Sequence, residues 1–361
     1  ATGIDIRYRE NRGYTISGTV TGQAASETGT SVMLTRAASG ALESVTVSLP
    51  NSPNRGFILT SVPEGDYYIA AVAGNALEGS SVAASAARKV TVKGADVTGI
   101  ELTLAPMGSL SGRVAVEPAP GASSTPECKS AHPSSVEEIV VLAQSDRKDR
   151  PKDEPELLAD YATSTPNAKG EFLIRFLEQG QKRIVVRLPG EQWYARAITL
   201  PAKDARSRAV DLARDGFSLK AGESLTGAVI TLGEGAAALS GRVVAGKEES
   251  IPSARMRIHI VPAEALSGDE TLRYTETRAQ RDGTFKFTNL APGRYWIVIR
   301  PLSDDESIES LSRPVSWDAS GRTGLRFEGE AMGNAVELKP CQRVTDFILR
   351  YTPPVRPTKK K

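Results

Sequence analysis

Histidine and cysteine are nearly missing from this chain. Its 361 residues hold two of each: His132 and His259, Cys128 and Cys341. A zinc site needs clustered Cys, His or carboxylate ligands, and these four residues are scattered. The zinc centre of a metallopeptidase is therefore excluded. A G-x-S-x-G elbow is also missing, which leaves a hydrolase of that design unsupported. There is no GK[ST] phosphate loop, no G-x-G-x-x-G following a strand and no EF-hand loop. The acidic run Asp304-Asp305-Glu306 lacks the glycine punctuation of a calcium loop. An enzyme is not expected, and no catalytic, cofactor-binding or metal-binding residue is nominated. His259, in the alternating run RMRIHIVP, reads as a strand residue, and His132 as part of a solvated Ser/Pro loop.

Other shortages narrow the class further. No apolar run reaches the length of a membrane-spanning helix. The net charge is only +2, so no nucleic-acid partner is indicated, and the basic tail VRPTKKK reads as a solvated end. No N-x-[ST] sequon occurs. The chain starts at Ala1 with no Met, so a removed or omitted leader is expected, and the lack of a visible signal says nothing about secretion. The two cysteines leave two options, a single disulfide or two inert thiols. Their flanks, PECKS and KPCQR, are polar and turn-like, which favours the disulfide. It would close a loop of more than 200 residues, contribute about 4–5 kcal/mol in the chain-entropy model, and require an oxidising compartment.

What the sequence does contain is repetition. An opening phrase appears as ISGTV at 16–20, LSGRV at 110–114 and LSGRV at 239–243. A middle phrase follows: FILTSVPEGDYYIAAV from Phe57, FLIRFLEQGQKRIVVRL from Phe172 and FKFTNLAPGRYWIVIRP from Phe285. A closing phrase ends each repeat: TGIELTLAP at 98–106, TGAVITLGE at 226–234 and TDFILRYTP at 345–353. Phe57 to Gly65, Phe172 to Gly180 and Phe285 to Gly293 are each eight residues apart, whereas spacing between phrases drifts by tens. Fixed spacing within and loose spacing between is the mark of strands joined by variable surface loops.

Alternating apolar residues make each phrase a strand candidate. The PEG, EQG and APG triplets read as turns, so each middle phrase is expected to form a β-hairpin. Gly18, Gly112 and Gly241 interrupt good strands, which predicts a bulge or a close approach by neighbouring backbone. Cys341 falls in the turn where the other repeats carry Gly94 and Gly222. About seven short strands per repeat point to a β-sandwich. The fold class is therefore all-β, with three tandem transthyretin-like or immunoglobulin-like sandwiches. The expected divisions are 11–106, 107–235 and 236–353, preceded by an extra strand at 1–10 and followed by a basic tail at 354–361. Short junctions near 106–108 and 235–237 predict an elongated array at restricted angles. Helix is expected only around Leu325–Ala335, with a short turn at Asp305–Ser312. The charged stretch SDRKDRPKDEPE (145–156) reads as an exposed loop.

These phrases, SGxV, then F-x-hydrophobic leading to PG-x-Y, then TGI, resemble the carboxypeptidase regulatory-like domain, a seven-stranded transthyretin-like (prealbumin-like) sandwich. All three repeats carry the resemblance. The third, with FTNLAPGRYWIVIRP, is nearest the pattern, and the second departs most, with EQGQKR in place of PG-x-Y. The whole arrangement is similar to large secreted multi-repeat proteins of Acidobacteria-type bacteria. That resemblance implies an exported, extracellular or cell-surface location and no particular activity. The Lys–Asn isopeptide cross-link of a related sandwich family is not expected, because the first-strand phrases lack Lys and the last-strand phrases lack Asn.

Two functional readings follow. In the first, the chain is a non-catalytic structural protein, a surface rod or filament subunit that associates with itself or with neighbouring surface proteins. In the second it is a carbohydrate-binding or adhesive module, with Trp193, Tyr194 and Trp317 as a stacking platform. The segment TGIDIRYRE at 2–10 bears on the first. It is a fourth closing phrase, with alternating Ile4, Ile6 and Tyr8, and has no sandwich of its own. It is a strand donated to another molecule, the remnant of a preceding module, or a strand paired within its own chain.

Overall fold

The computed structural model describes residues 13–22, 30–37, 39–48, 56–74, 83–118, 134–146, 148, 161–202, 208–245, 255–264, 266, 268–302 and 313–351. Ile4, Ile6, Tyr8, Cys128, His132, Asp304–Glu306, the 305–312 turn and the basic tail lie outside them.

The described residues form three β-sandwiches in tandem. The first contains β1 (Tyr14–Thr21), β2 (Thr30–Arg36), β3 (Leu42–Ser48), β4 (Gly56–Val62), β5 (Gly65–Ala73), β6 (Ala83–Ala84), β7 (Arg88–Val92), β8 (Val97–Thr103) and β9 (Ala105–Pro106). The second contains β10 (Gly108–Glu117), β11 (Val140–Ser145), β12 (Tyr161–Ser164), β13 (Glu171–Leu177), β14 (Gly180–Arg187), β15 (Trp193–Leu200), β16 (Val210–Asp211), the short helix α1 (Leu212–Asp215), β17 (Phe217–Leu219) and β18 (Ser224–Glu234). The third contains β19 (Ala237–Ala245), β20 (Met256–Pro262), β21 (Thr275–Arg278), β22 (Thr284–Leu290), β23 (Gly293–Pro301), α2 (Ala319–Met332), β24 (Ala335–Leu338) and β25 (Arg343–Tyr351).

One plan recurs. The opening strand is central in its sheet, antiparallel to the first strand of the middle phrase and parallel to the closing strand. The resulting orders are β4-β1-β8, β13-β10-β18 and β22-β19-β25, and only the second continues, through β15 and β16. The facing sheets are β3-β2-β5-β6-β9 with β7 on β5, β12-β11-β14-β17, and β21-β20-β23-β24. Each sandwich encloses its own core, centred on Ile16, Leu34 and Tyr67, on Leu110, Ile174 and Ile230, and on Leu239, Ile260 and Tyr295.

The middle phrase corrects the hairpin expectation. Its two strands belong to opposite sheets: β4 pairs with β1, while β5 pairs with β2. The other repeats do the same. The phrase is a corner at which the chain crosses the sandwich. The cause is a bulge that turns the strand. Ser61, Phe176 and Asn289 have φ of 59°, 62° and 58°. At those points the inward residues change spacing from two to three, as in Phe57, Leu59 and then Val62, all buried.

The strand glycines answer to close approach. A Cβ on Gly18, Gly112 or Gly241 would lie 1.9, 2.2 or 2.0 Å from the carbonyl oxygen of Ile100, Ala228 or Phe347 on the parallel closing strand. The partner strand is bulged there as well, by Gly99, Gly227 and Asp346 at φ 72°, 85° and 58°.

Helix α2 begins six residues before the expected Leu325. Gly321 and Gly324 mask the start in the sequence, yet Gly321 is needed for packing, because a Cβ there would meet the Val315 oxygen at 2.1 Å. The helix covers the outer face of β20 and β23 through Leu325, Val261, Val298 and Tyr274.

Candidate functional site: the interface between the second and third sandwiches

The closing strand of one sandwich runs almost directly into the opening strand of the next, and a single hydrogen bond recurs at each junction. At the first, Gly222 N donates to Pro106 O at 2.8 Å. At the second, Cys341 N donates to Gly235 O at 3.0 Å. Gly222 has φ 69° and Cys341 has φ 60°. The second junction then adds much more.

One addition comes from the loop ahead of β15. Gln192 O accepts from both Gly235 N and Ala236 N. Glu191 accepts from Lys286 at 2.6 Å and also pairs with Arg343, both on the third sandwich. The Lys286 hydrogen bond, joined by Arg343 and opposed by partial burial, holds the Glu191 carboxyl below its usual range. Asn289 Nδ2 donates to Trp193 O at 2.8 Å, so the bulge residue of the third sandwich also grips this loop.

A buried ionic network is the other addition. Arg183 sits on β14 where the sequence departs from the repeat, in EQGQKR. Its Nε donates to Asp146 at 2.8 Å and its other nitrogens donate to Ala213 O, Arg214 O and Trp317 O. Asp146 also accepts from Arg313, which in turn pairs with Asp318. The Arg183 and Arg313 guanidiniums each lie 5.5 Å from the Trp317 ring, a distance at which a cation is attracted to an aromatic face. The Asp146 and Arg183 side chains are only 6% and 8% exposed. Burial alone would raise the Asp146 carboxyl, but hydrogen bonds from Arg313 and Arg183 outweigh it and hold the group below its usual range. A buried carboxylate shared by two arginines from two modules is a lock: removing one partner strands the remaining charges away from water.

Beside the lock lies a cleft of about 520 Å³, lined by Arg187 from the second sandwich and His259, Thr271, Arg273, Glu276 and Trp317 from the third. His259 is a buried strand residue, as expected. Its Nδ1 is 3.3 Å from Glu276 Oε2, and its Nε2 has no hydrogen-bond partner among the described residues. Burial pushes the Glu276 carboxyl up, but His259 and Arg257 prevail and hold it below its usual range. Arg273 pairs with Glu264 and lies 4.8 Å from the Tyr295 ring. Among the described residues no cluster of three or more His, Cys, Asp or Glu is arranged to hold a metal.

The nominated aromatic residues do not form one platform. Trp193 is 8% exposed and belongs to the core of the second sandwich, which corrects the expectation that it presents its ring. The first residue of β15 faces inward, so the indole fills the sandwich end. Tyr194 is half-buried with its ring against Gly233, where a Cβ would come within 2.4 Å. Trp317 is half-buried in the lock. Cys341 is buried and is not a free thiol. Asp146 corrects the loop reading of 145–156: Ser145 ends β11, and Asp146 is buried between modules. Arg183, Asp146, Arg313 and Glu191 were not singled out from sequence. The legible signal was the QKR departure in the second repeat.

No protein-family model matches the sequence, and no curated protein matches it. Solved structures similar to it include the Bacillus anthracis TIE protein (TM-score 0.21, 10% identity, covering 94% of this chain and 50% of that one). BcpA, the major pilin subunit of Bacillus cereus, matches at TM-score 0.21 and 12% identity, over 94% of this chain and 99% of that one. A putative polysaccharide-binding protein of Bacteroides thetaiotaomicron matches at 0.25 and 11%, over 59% and 89%. The chain spans half the length of the TIE protein. Similarity of this degree carries no functional argument.

Proposed function

We propose that this chain is a non-catalytic extracellular structural protein, a rod or filament subunit made of carboxypeptidase regulatory-like sandwiches. The observation that carries the reading is the lock of Arg183, Asp146, Arg313 and Trp317, which commits buried charge to holding two modules in one orientation. A chain that bears load or sets spacing needs such fixed geometry between modules. The sandwich boundaries near 106–108 and 235–237 are the ends of the folding units. Polymerisation proceeds through donation of the N-terminal strand with Ile4, Ile6 and Tyr8. Export in a bacterium follows from the family resemblance. A disulfide between Cys128 and Cys341 braces the second module to the third; it is supported by Cys341 not being a free thiol in a chain with only two cysteines. Mass spectrometry of unreduced tryptic fragments should find the linked peptides, and two free thiols would remove the brace.

Negative-stain microscopy of the intact chain at rising concentration tests the main reading. Linear assemblies are expected, and dispersed particles at every concentration would contradict it. The carbohydrate-binding or adhesive alternative has the cleft in its favour, with Arg187, Glu276 and Trp317 in its lining. Saturable binding to a glycan array that Arg187→Ala abolishes would support that alternative.

A further inference from the structure

The second sandwich shows what an occupied edge looks like. Its closing strand β18 is covered by β15, antiparallel, with Ile198 opposite Ile230 and Ala195 opposite Leu232. The inward residues Ala228, Ile230 and Leu232 are fully buried there. The third sandwich has the same opening and closing strands but nothing in the place of β15 among the described residues, so β25 is the edge of its sheet. The cover is missed. Parallel register against the opening glycine aligns Phe347, Leu349 and Tyr351 with Ala228, Ile230 and Leu232. Of those three only Leu349 is fully buried; Phe347 and Tyr351 are half-buried, and the outward Ile348 is 46% exposed. In the first sandwich β8 is also an edge, but its inward residues Ile100 and Leu102, with Leu104 beyond it, are all buried. Among the described residues β25 is therefore the less covered edge, and an edge strand is a template for another strand.

We propose that β25 accepts residues 2–10 of a second copy of this chain as an antiparallel strand in the position that β15 takes on β18. This rests on the strand-donation reading above and names its acceptor. The template anchors the register at one pair, Ile6 opposite Leu349 as Ile198 is opposite Ile230; without the bulge that β15 carries between Ala195 and Ala197, Ile4 meets Tyr351 and Tyr8 meets Phe347. On the outward face the same register sets Asp5 against Arg350, Arg9 against Asp346 and, between them, the aliphatic stem of Arg7 over the exposed Ile348. Apolar residues meet apolar ones inside and two of the three outward pairs match opposite charges, the cross-strand pairs that stabilise an antiparallel ladder. A one-residue slip would exchange the two faces and lose both. Donor and acceptor are different segments, so the contact is heterologous, and it extends into a filament wherever the rotation between copies does not close a ring.

The test uses the full chain with Tyr8→benzoylphenylalanine, irradiated as a mixture of ¹⁴N and ¹⁵N copies, with cross-linked peptides mapped by mass. Cross-links between copies should fall within residues 344–351, and an excess of free peptide 2–10 should suppress them. Arg350→Glu should weaken that peptide's binding about fivefold, the size of an exposed ion pair, and an Asp5→Arg peptide should restore it. Cross-links to β8, cross-links within one copy, or none at all would overturn the proposal. So would self-association of a chain lacking residues 1–12 that leaves the peptide unbound, since the edge would then be pairing with another β25. Light scattering of the intact chain separates the two readings. Assembly with cross-links elsewhere removes the β25 edge and spares the filament, whereas cross-links at 344–351 in a chain that never extends beyond dimers support the edge and remove the filament.

Discussion

The two junctions of this chain begin alike and end differently. Both place a left-handed turn residue against the preceding module and make one backbone hydrogen bond there. At the first junction Gly222 makes that bond to Pro106. The second adds the Glu191 contacts, the Asn289 grip and the Asp146 lock. Chain connectivity is equally short at both, so a short junction alone does not fix an angle. Side chains far apart in sequence do. These contacts predict that the second and third sandwiches move together and that the first turns more freely upon them.

The comparison is broken most strongly at Asp146. Asp146→Ala leaves Arg183 and Arg313 facing each other without their shared carboxylate, and should destabilise the two-module unit by about 3–5 kcal/mol. Denaturant unfolding should show that loss while the transition of the first sandwich stays in place.

Acid should do the same reversibly. Asp146, Glu191 and Asp318 are held below the ordinary carboxylate range by their cationic partners. Their stabilisation is complete above about pH 4, the usual range of these groups, and is lost as pH falls through the lower folded values. Calorimetry from pH 5 down to 2.5 should therefore find the second and third sandwiches losing the stability that their junction contributes.

Smaller changes sharpen the contrast. Gly222→Ala puts a β-carbon into a left-handed turn 3.3 Å from Pro106 Cβ. It should cost about 1–2 kcal/mol and shift the angle between the first two sandwiches. Glu191→Gln should cost less than about 1 kcal/mol, because Lys286 and Arg343 are more than half exposed. Thermal melts in low and high salt would separate this screened pair from the buried lock.

The repeat phrases made the three sandwiches legible because their inward positions are dictated locally, by alternation and by glycines that leave room for a partner strand. The middle phrase misled for the same reason. Two alternating strands around PEG read as a hairpin, and the positive φ at Ser61, Phe176 and Asn289 that sends them to opposite sheets carries no residue signature. Tyr67 and Tyr295 cap their corners through hydroxyl bonds to Pro63 O and Ala291 O. The second repeat has Lys182 at that place, donating to Ser145 at 2.7 Å. There the pattern failed, and there Arg183 turns to the neighbouring module. Asp146 and Arg313 were hidden because the pairing joins residues 167 positions apart across two domains, a contact that no local pattern encodes.

Two equally short junctions should thus differ in stiffness. That difference is tested most directly by pulsed electron–electron distance measurements, with nitroxides on ketone-bearing residues at the exposed positions Glu101, Arg175 and Glu337. The distance distribution from 175 to 337 should be narrow, should broaden in Asp146→Ala, and should be clearly sharper than that from 101 to 175. Equal widths across the two junctions, or a 175 to 337 distribution unmoved by Asp146→Ala, would show that the buried lock does not stiffen the second junction.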